Sequence, residues 1–170
     1  MTCRLIVTRL PLLAFALIGG CRRSHSGDIV ESVRFTGRAE VITPGDSLLR
    51  VRVIARNTGR SATWSLALGH CSLNFRVATL SPSTAHEWDY TRWQTALNTH
   101  ALCPTSLERW RLAPGDSLST RDLERVVRVR DVLGDSLPPG RYRVTAFVGF
   151  NSSQSSGDLA AGEVELRAPH

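Results

Sequence analysis

Residues 140–150 read Gly-Arg-Tyr-Arg-Val-Thr-Ala-Phe-Val-Gly-Phe, and every second side chain from Tyr142 through Val144, Ala146 and Val148 to Phe150 is apolar. Arg141, Arg143 and Thr145 fall between them. A period of two places alternate side chains on opposite faces of an extended chain, so this stretch predicts a strand with one buried face. The pattern recurs towards the N-terminus. In 47–56, Leu49, Val51, Val53 and Ala55 alternate with Arg50, Arg52 and Arg56. Shorter copies are Ala62, Trp64, Leu66 and Leu68; Leu73, Phe75 and Val77; and Val127 and Val129 opposed by Arg128 and Arg130. Val33-Phe35 through Val41 and Val164-Leu166 complete the set.

Turn chemistry separates these segments. Pro44-Gly45-Asp46, Asn57-Thr58-Gly59, Pro114-Gly115-Asp116, Gly134-Asp135 and Pro138-Pro139-Gly140 each combine residues that bend or cap a chain. Only 121–126 and part of 84–98 have the makings of a helix. About seven to nine short strands with such punctuation predict an all-β fold, an immunoglobulin-like antiparallel β-sandwich. A chain of 170 residues suits one such domain.

The formal charge is +6 and all of its cationic side chains are arginine. Acidic residues are interleaved with the arginines along the alternating segments. That reads as solvated sheet faces, and a nucleic-acid partner, which requires a basic patch or stripe, is not expected.

The first twenty residues have the parts of an export signal: basic Arg4 and Arg9, an apolar run from Leu10 to Ile18, and Gly19-Gly20. The run is shorter than the roughly 20 residues a membrane-spanning helix needs. Ile18-Gly19-Gly20-Cys21 resembles the lipobox of bacterial lipoproteins. The resemblance implies a diacylglyceryl group on the Cys21 sulfur, cleavage after Gly20, and further acylation of the new amino group with a palmitate-like chain. It also implies anchoring to a membrane, with the domain outside the cytoplasm. Arg22 stands where lipoproteins retained in the inner membrane carry aspartate, which implies an outer membrane facing the periplasm. The expected organisation is a signal peptide over 1–20, a lipidated tether over 21–28 and a sandwich over 29–168.

If Cys3 leaves with the signal and Cys21 is lipidated, Cys71 and Cys103 remain. In an oxidising compartment the two are expected to pair. The bridge would close about 32 residues of chain and contribute about 3.5 kcal/mol on the chain-entropy estimate. A second arrangement uses the same cysteines as thiolates: His70, Cys71, His100 and Cys103 form a zinc set by residue type. Adjacent strand residues point to opposite faces, so His70 and Cys71 share a metal only from a loop. The disulfide is the expectation carried forward, with no metal and no cofactor.

The order of motifs over residues 30–150 resembles the intracellular proteinase inhibitor family of bacteria and related immunoglobulin-like modules. The carriers are Asn57-Thr58-Gly59, Glu87-Trp88, Leu112-Ala113-Pro114-Gly115-Asp116-Ser117 and Pro139-Gly140-Arg141-Tyr142-Arg143-Val144. The resemblance implies the sandwich fold and, as an activity, inhibition of an extracytoplasmic protease by an exposed loop. The export signal and the cysteine pair depart from that family.

Gly-Asp-Ser-Leu occurs at 45–48, 115–118 and 134–137, a string similar to the signature of a lipase and esterase family. Three copies, two of them after proline, fit turns better than a single nucleophile, and no catalytic residue is assigned. The candidate binding surface is 86–93, with Trp88, Tyr90, Arg92 and Trp93, together with Trp110. The competing role for those aromatics is packing beneath the loop that the cysteines tie down. The resulting expectation is a non-enzymatic, lipid-anchored module whose partners are the membrane, through its anchor, and an envelope protein or peptide.

Overall fold

A computed structural model describes residues 32–42, 47–80, 86–97, 107–134, 137–151 and 153–168. The signal peptide, Cys21, the tether, the whole Pro44-Gly45-Asp46 turn, His100 and Cys103 lie outside them. The described chain forms strands β1 (Val33–Ile42), β2 (Leu48–Asn57), β3 (Trp64–Leu68), β4 (Leu73–Thr79) and β5 (Glu87–Asp89). Helix α1 (Tyr90–Ala96) follows, then β6 (Glu108–Leu112), β7 (Ser117–Leu118), a 3-10 turn (Arg121–Leu123), β8 (Glu124–Arg128) and α2 (Val129–Leu133). The chain ends with β9 (Gly140–Phe150), β10 (Gln154–Ser155) and β11 (Leu159–Leu166).

One layer pairs β1 with β2, and β7 and β8 with the other edge of β2. The second runs β5, β4, β9, with β10 and β11 on the far edge of β9. A separate ribbon joins β3 to β6. All pairings are antiparallel. This is the expected immunoglobulin-like sandwich. The inward residues of β9 are the ones its alternation singles out: Tyr142, Val144, Ala146, Val148 and Phe150 are all buried. They meet Leu49, Val51, Val53 and Ala55 of β2 and Leu73, Phe75 and Val77 of β4 in one core. Removing each larger side chain from water stabilises the fold by roughly 1.5–3 kcal/mol.

Tyr142 closes the approach to β9, because its hydroxyl donates to the Pro138 carbonyl. This backward bond at the start of a central strand is the tyrosine corner of immunoglobulin-like sandwiches. At the other end, Asn151 adopts φ 50, a left-handed conformation that asparagine tolerates. Its Oδ1 accepts from Ala67 N at 2.8 Å, which attaches the β3 ribbon to the β9 turn.

Three segments differ from the sequence expectation. Val129 does not extend the strand of Val127. Its amide donates to the Ser47 carbonyl at 2.7 Å, and the chain then turns into α2. Val129, Val132 and Leu133 are buried there at helical spacing, a stronger signal than the two-residue alternation. The strand expected from Ala62 starts at Trp64, with Ala62 exposed. The 124–126 half of the expected helix is β8, because it completes the ladder on β2.

Candidate functional site

The Cys71 end of the sandwich is a bonded turn. Ser72 N donates to Gly69 O at 2.9 Å, Gly69 N donates to Ser72 Oγ at 2.9 Å, and Asn74 Nδ2 reaches Cys71 O at 3.3 Å. His70 and Cys71 therefore sit in a loop, His70 exposed and Cys71 half-buried. Cys71 is in a disulfide, and a disulfide sulfur is not available as a metal thiolate. Among the described residues no group of three histidine, cysteine, aspartate or glutamate side chains is placed to hold a metal ion.

Arg125 of β8 underlies this turn, and sequence reasoning missed it. It points into the core, opposite Val51, and is 6% exposed. Its guanidinium donates to the carbonyls of Arg121, Glu124 and His70, while Nε has no partner. Burial pulls the guanidinium below its usual range, an effect that Tyr90 and Asp122 oppose. The only signal in sequence is an arginine at the inward position before Val127.

The four residues of the 88–93 segment separate. Trp88 and Tyr90 are buried, Trp93 is half-buried, and Arg92 is exposed. Trp88 pairs with Val77 across β5 and β4. Phe75 stacks on Tyr90 with ring centres 5.0 Å apart, and Trp88 lies 5.5 Å from Phe75 and 5.7 Å from Trp93. Asp89 caps α1 by accepting from Arg92 N at 3.0 Å. Gln94 Nε2 donates to the Tyr90 hydroxyl at 2.8 Å. Burial raises the Tyr90 phenol, with Arg125 acting in the other direction. Packing occupies three of these side chains, and Arg92 is left at the surface.

The second Gly-Asp-Ser string is a turn. Gly115 takes φ 86, a left-handed conformation that favours glycine, and Asp116 Oδ2 accepts from Ala113 N at 3.0 Å. Ser117 begins β7. The first and third copies are only partly within the described residues.

Trp110 stands apart from the aromatic cluster, in the middle of β6 and paired with buried Leu66 of β3. It lines a cleft of about 550 Å³ with Glu108, Leu118 and residues 119–122. Its Nε1 is buried and has no hydrogen-bond partner. Thr120 Oγ1 accepts from Asp122 N at 3.2 Å, which orients the far wall. The cleft thus offers the half-buried Trp110 indole, the Ser119 and Thr120 hydroxyls and the Glu108 and Asp122 carboxylates. Such a set fits an amphipathic ligand that carries hydrogen-bonding groups.

No family model matches the chain, and no curated protein matches it. Among solved structures, a β-glucosidase from Kluyveromyces marxianus in complex with glucose is similar at TM-score 0.41 and 16% identity. The match covers 80% of this chain and 14% of that one. A Northeast Structural Genomics Consortium target is similar at TM-score 0.33 and 14% identity, covering 83% of this chain and 90% of that one. The chain therefore spans about a seventh of the β-glucosidase it matches. The class that the structure itself defines is an all-β, immunoglobulin-like sandwich.

Proposed function

We propose that this chain is exported, cleaved after Gly20 and anchored through lipid on Cys21, and that its sandwich is a non-enzymatic module binding an envelope protein or peptide. The address rests on Ile18-Gly19-Gly20-Cys21 at the end of an apolar run. A Cys71–Cys103 bridge agrees with it, because Cys71 is in a disulfide and such bonds persist outside the cytoplasm. The binding half rests on one observation: an open cleft walled by the Trp110 indole and the polar residues 119–122.

Two measurements test the two halves separately. Intact mass of the membrane-extracted protein should equal residues 21–170 plus acyl groups, with two cysteines alkylated only after reduction. An unlipidated mass rejects the anchor. In a titration with short peptides, the Trp110 indole N–H resonance should move, and Trp110→Phe should remove binding while leaving the melting temperature within a few degrees. Peptide binding that survives Trp110→Phe unchanged rejects the cleft.

A further inference from the structure

The outward side chains of β1, β2 and β8 form a single cationic face. Arg34 and Arg38 of β1, Arg50, Arg52 and Arg56 of β2, and Arg128 of β8 all lie on it, since the intervening residues of β2 and β8 point into the core. Among the described residues only Glu40 and Glu124 answer them. Glu40 is shared among Arg38, Arg50 and Arg52 at 3.6, 3.4 and 3.5 Å, and Glu124 meets Arg50 at 3.4 Å. Among the described residues Arg34, Arg56 and Arg128 make no ion pair.

The register sets Glu40 opposite Arg50 and Glu124 opposite Arg52, but elsewhere on the face it is costly. Arg34 is directly opposite Arg56, and Arg38 directly opposite Arg52. Like charges at such positions destabilise a sheet. The other layer is built in the opposite way: Arg143 faces Glu163 and Arg141 faces Glu165 across β9 and β11, and Arg76 faces Asp89 across β4 and β5. One outer face of the small sandwich is thus cationic, while the arginines of the other are matched by acids. Between the arginines, Ile54 is 42% exposed and Val126 46% exposed. Cations around apolar side chains on a broad sheet about 33 Å long match an anionic bilayer surface, where headgroup phosphates meet acyl chains.

We infer that the β1–β2–β8 face docks the domain onto an anionic phospholipid membrane. The inference rests on the lipid-anchored reading, because a tether from Cys21 to Val33 reaches at most about 42 Å and keeps the face near the bilayer. Each arginine at such a surface strengthens association by about fivefold.

The experiment uses residues 21–170 with Cys21→Ser, which retain every described core residue and carry no lipid, so its outcome is independent of whether Cys21 is acylated. Co-sedimentation is measured with vesicles of phosphatidylcholine alone and of equimolar phosphatidylcholine and phosphatidylglycerol. The expected result is binding to the anionic vesicles only, weakening as salt rises. Combined Arg34→Ser, Arg56→Ser and Arg128→Ser should reduce it about 100-fold, while Arg141→Ser with Arg143→Ser on the other layer should leave it within threefold. Equal binding to neutral vesicles overturns the inference, as does indifference of the unaltered chain to salt. So does tighter binding to duplex DNA than to anionic vesicles at equal phosphate concentration, which would assign the face to nucleic acid. The vesicle comparison and the salt series need no variant, so they decide the matter even if the triple substitution impairs folding.

Discussion

Asn57 shows how much one side chain can carry when it is fully buried. Its Nδ2 donates to Ala62 O at 2.8 Å and to Leu112 O at 2.9 Å, and its Oδ1 accepts from Gly59 N at 2.9 Å. One amide thereby joins the end of β2, the loop before β3 and the end of β6. Asn57→Ala removes all three bonds and strands a buried carbonyl, so urea unfolding should show a loss of about 2–4 kcal/mol. A loss under about 0.5 kcal/mol would mean that water replaces the amide. Asn57 is legible in sequence as a turn residue, but its reach to Leu112 is not, since the two are brought together only by the fold. Tyr142 has the same division. Its place on a strand follows from alternation, whereas the Pro138 carbonyl that takes its hydroxyl proton depends on the corner. Burial raises the phenols of both Tyr142 and Tyr90 above their usual range. The folded state therefore holds these protons more tightly than the unfolded chain does. Their contribution is whole below the unfolded value of about 10 and is lost as pH climbs above it. The melting temperature should fall above about pH 10, and Tyr142→Phe should flatten that fall while costing about 1 kcal/mol at neutral pH.

At the scale of elements, the aromatic residues of β5 and α1 act as a clamp on β4. Trp88→Ala removes a buried ring in contact with Phe75, Tyr90 and Trp93, and should cost about 3–5 kcal/mol by thermal or urea denaturation. Arg92→Ala, on the exposed side of α1, should change stability by less than about 0.5 kcal/mol. Comparable losses in both would show that the segment is not the clamp described. A second device brings the layers together. A Cβ at Gly37 would stand 3.2 Å from Ala161 Cβ and 3.3 Å from its Cα, so β1 and β11 approach closely only because residue 37 has no side chain. Gly37→Val should cost about 1–3 kcal/mol through this crowding, read from the urea midpoint. The strands were legible wherever at least three apolar residues alternated, as in β2, β4 and β9. With two, the outcome varied: Val164 and Leu166 marked β11, but β6 was not read. Only Trp110 and Leu112 mark β6, and the local alternation of Val127 and Val129 hid the helical spacing of Val129, Val132 and Leu133.

For the whole molecule, reduction tests the staple. If Cys71 is bridged to Cys103, reductant should lower the stability of residues 21–170 by about 3.5 kcal/mol, in parallel with the appearance of two labelled thiols. Loss of stability without thiol release would point elsewhere. The sequence by itself determined the all-β class, the position of most strands, the side of those strands that is buried and, among the described residues, turns such as Pro114-Gly115-Asp116. These follow from local rules, because alternation and turn chemistry act between residues a few positions apart. Only the tertiary structure decided where the charges went. Along the chain the arginines alternate with apolar residues and are diluted by acids, which reads as dispersion. Pairing of β1 with β2 then sets arginine opposite arginine at two positions and β8 adds Arg128 to the same face, while pairing of β9 with β11 sets arginine opposite glutamate. The same holds for the inward Arg125, the close approach at Gly37 and the cleft at Trp110. Each depends on strand register and on which layers face each other, and those are settled by packing between segments distant in the chain.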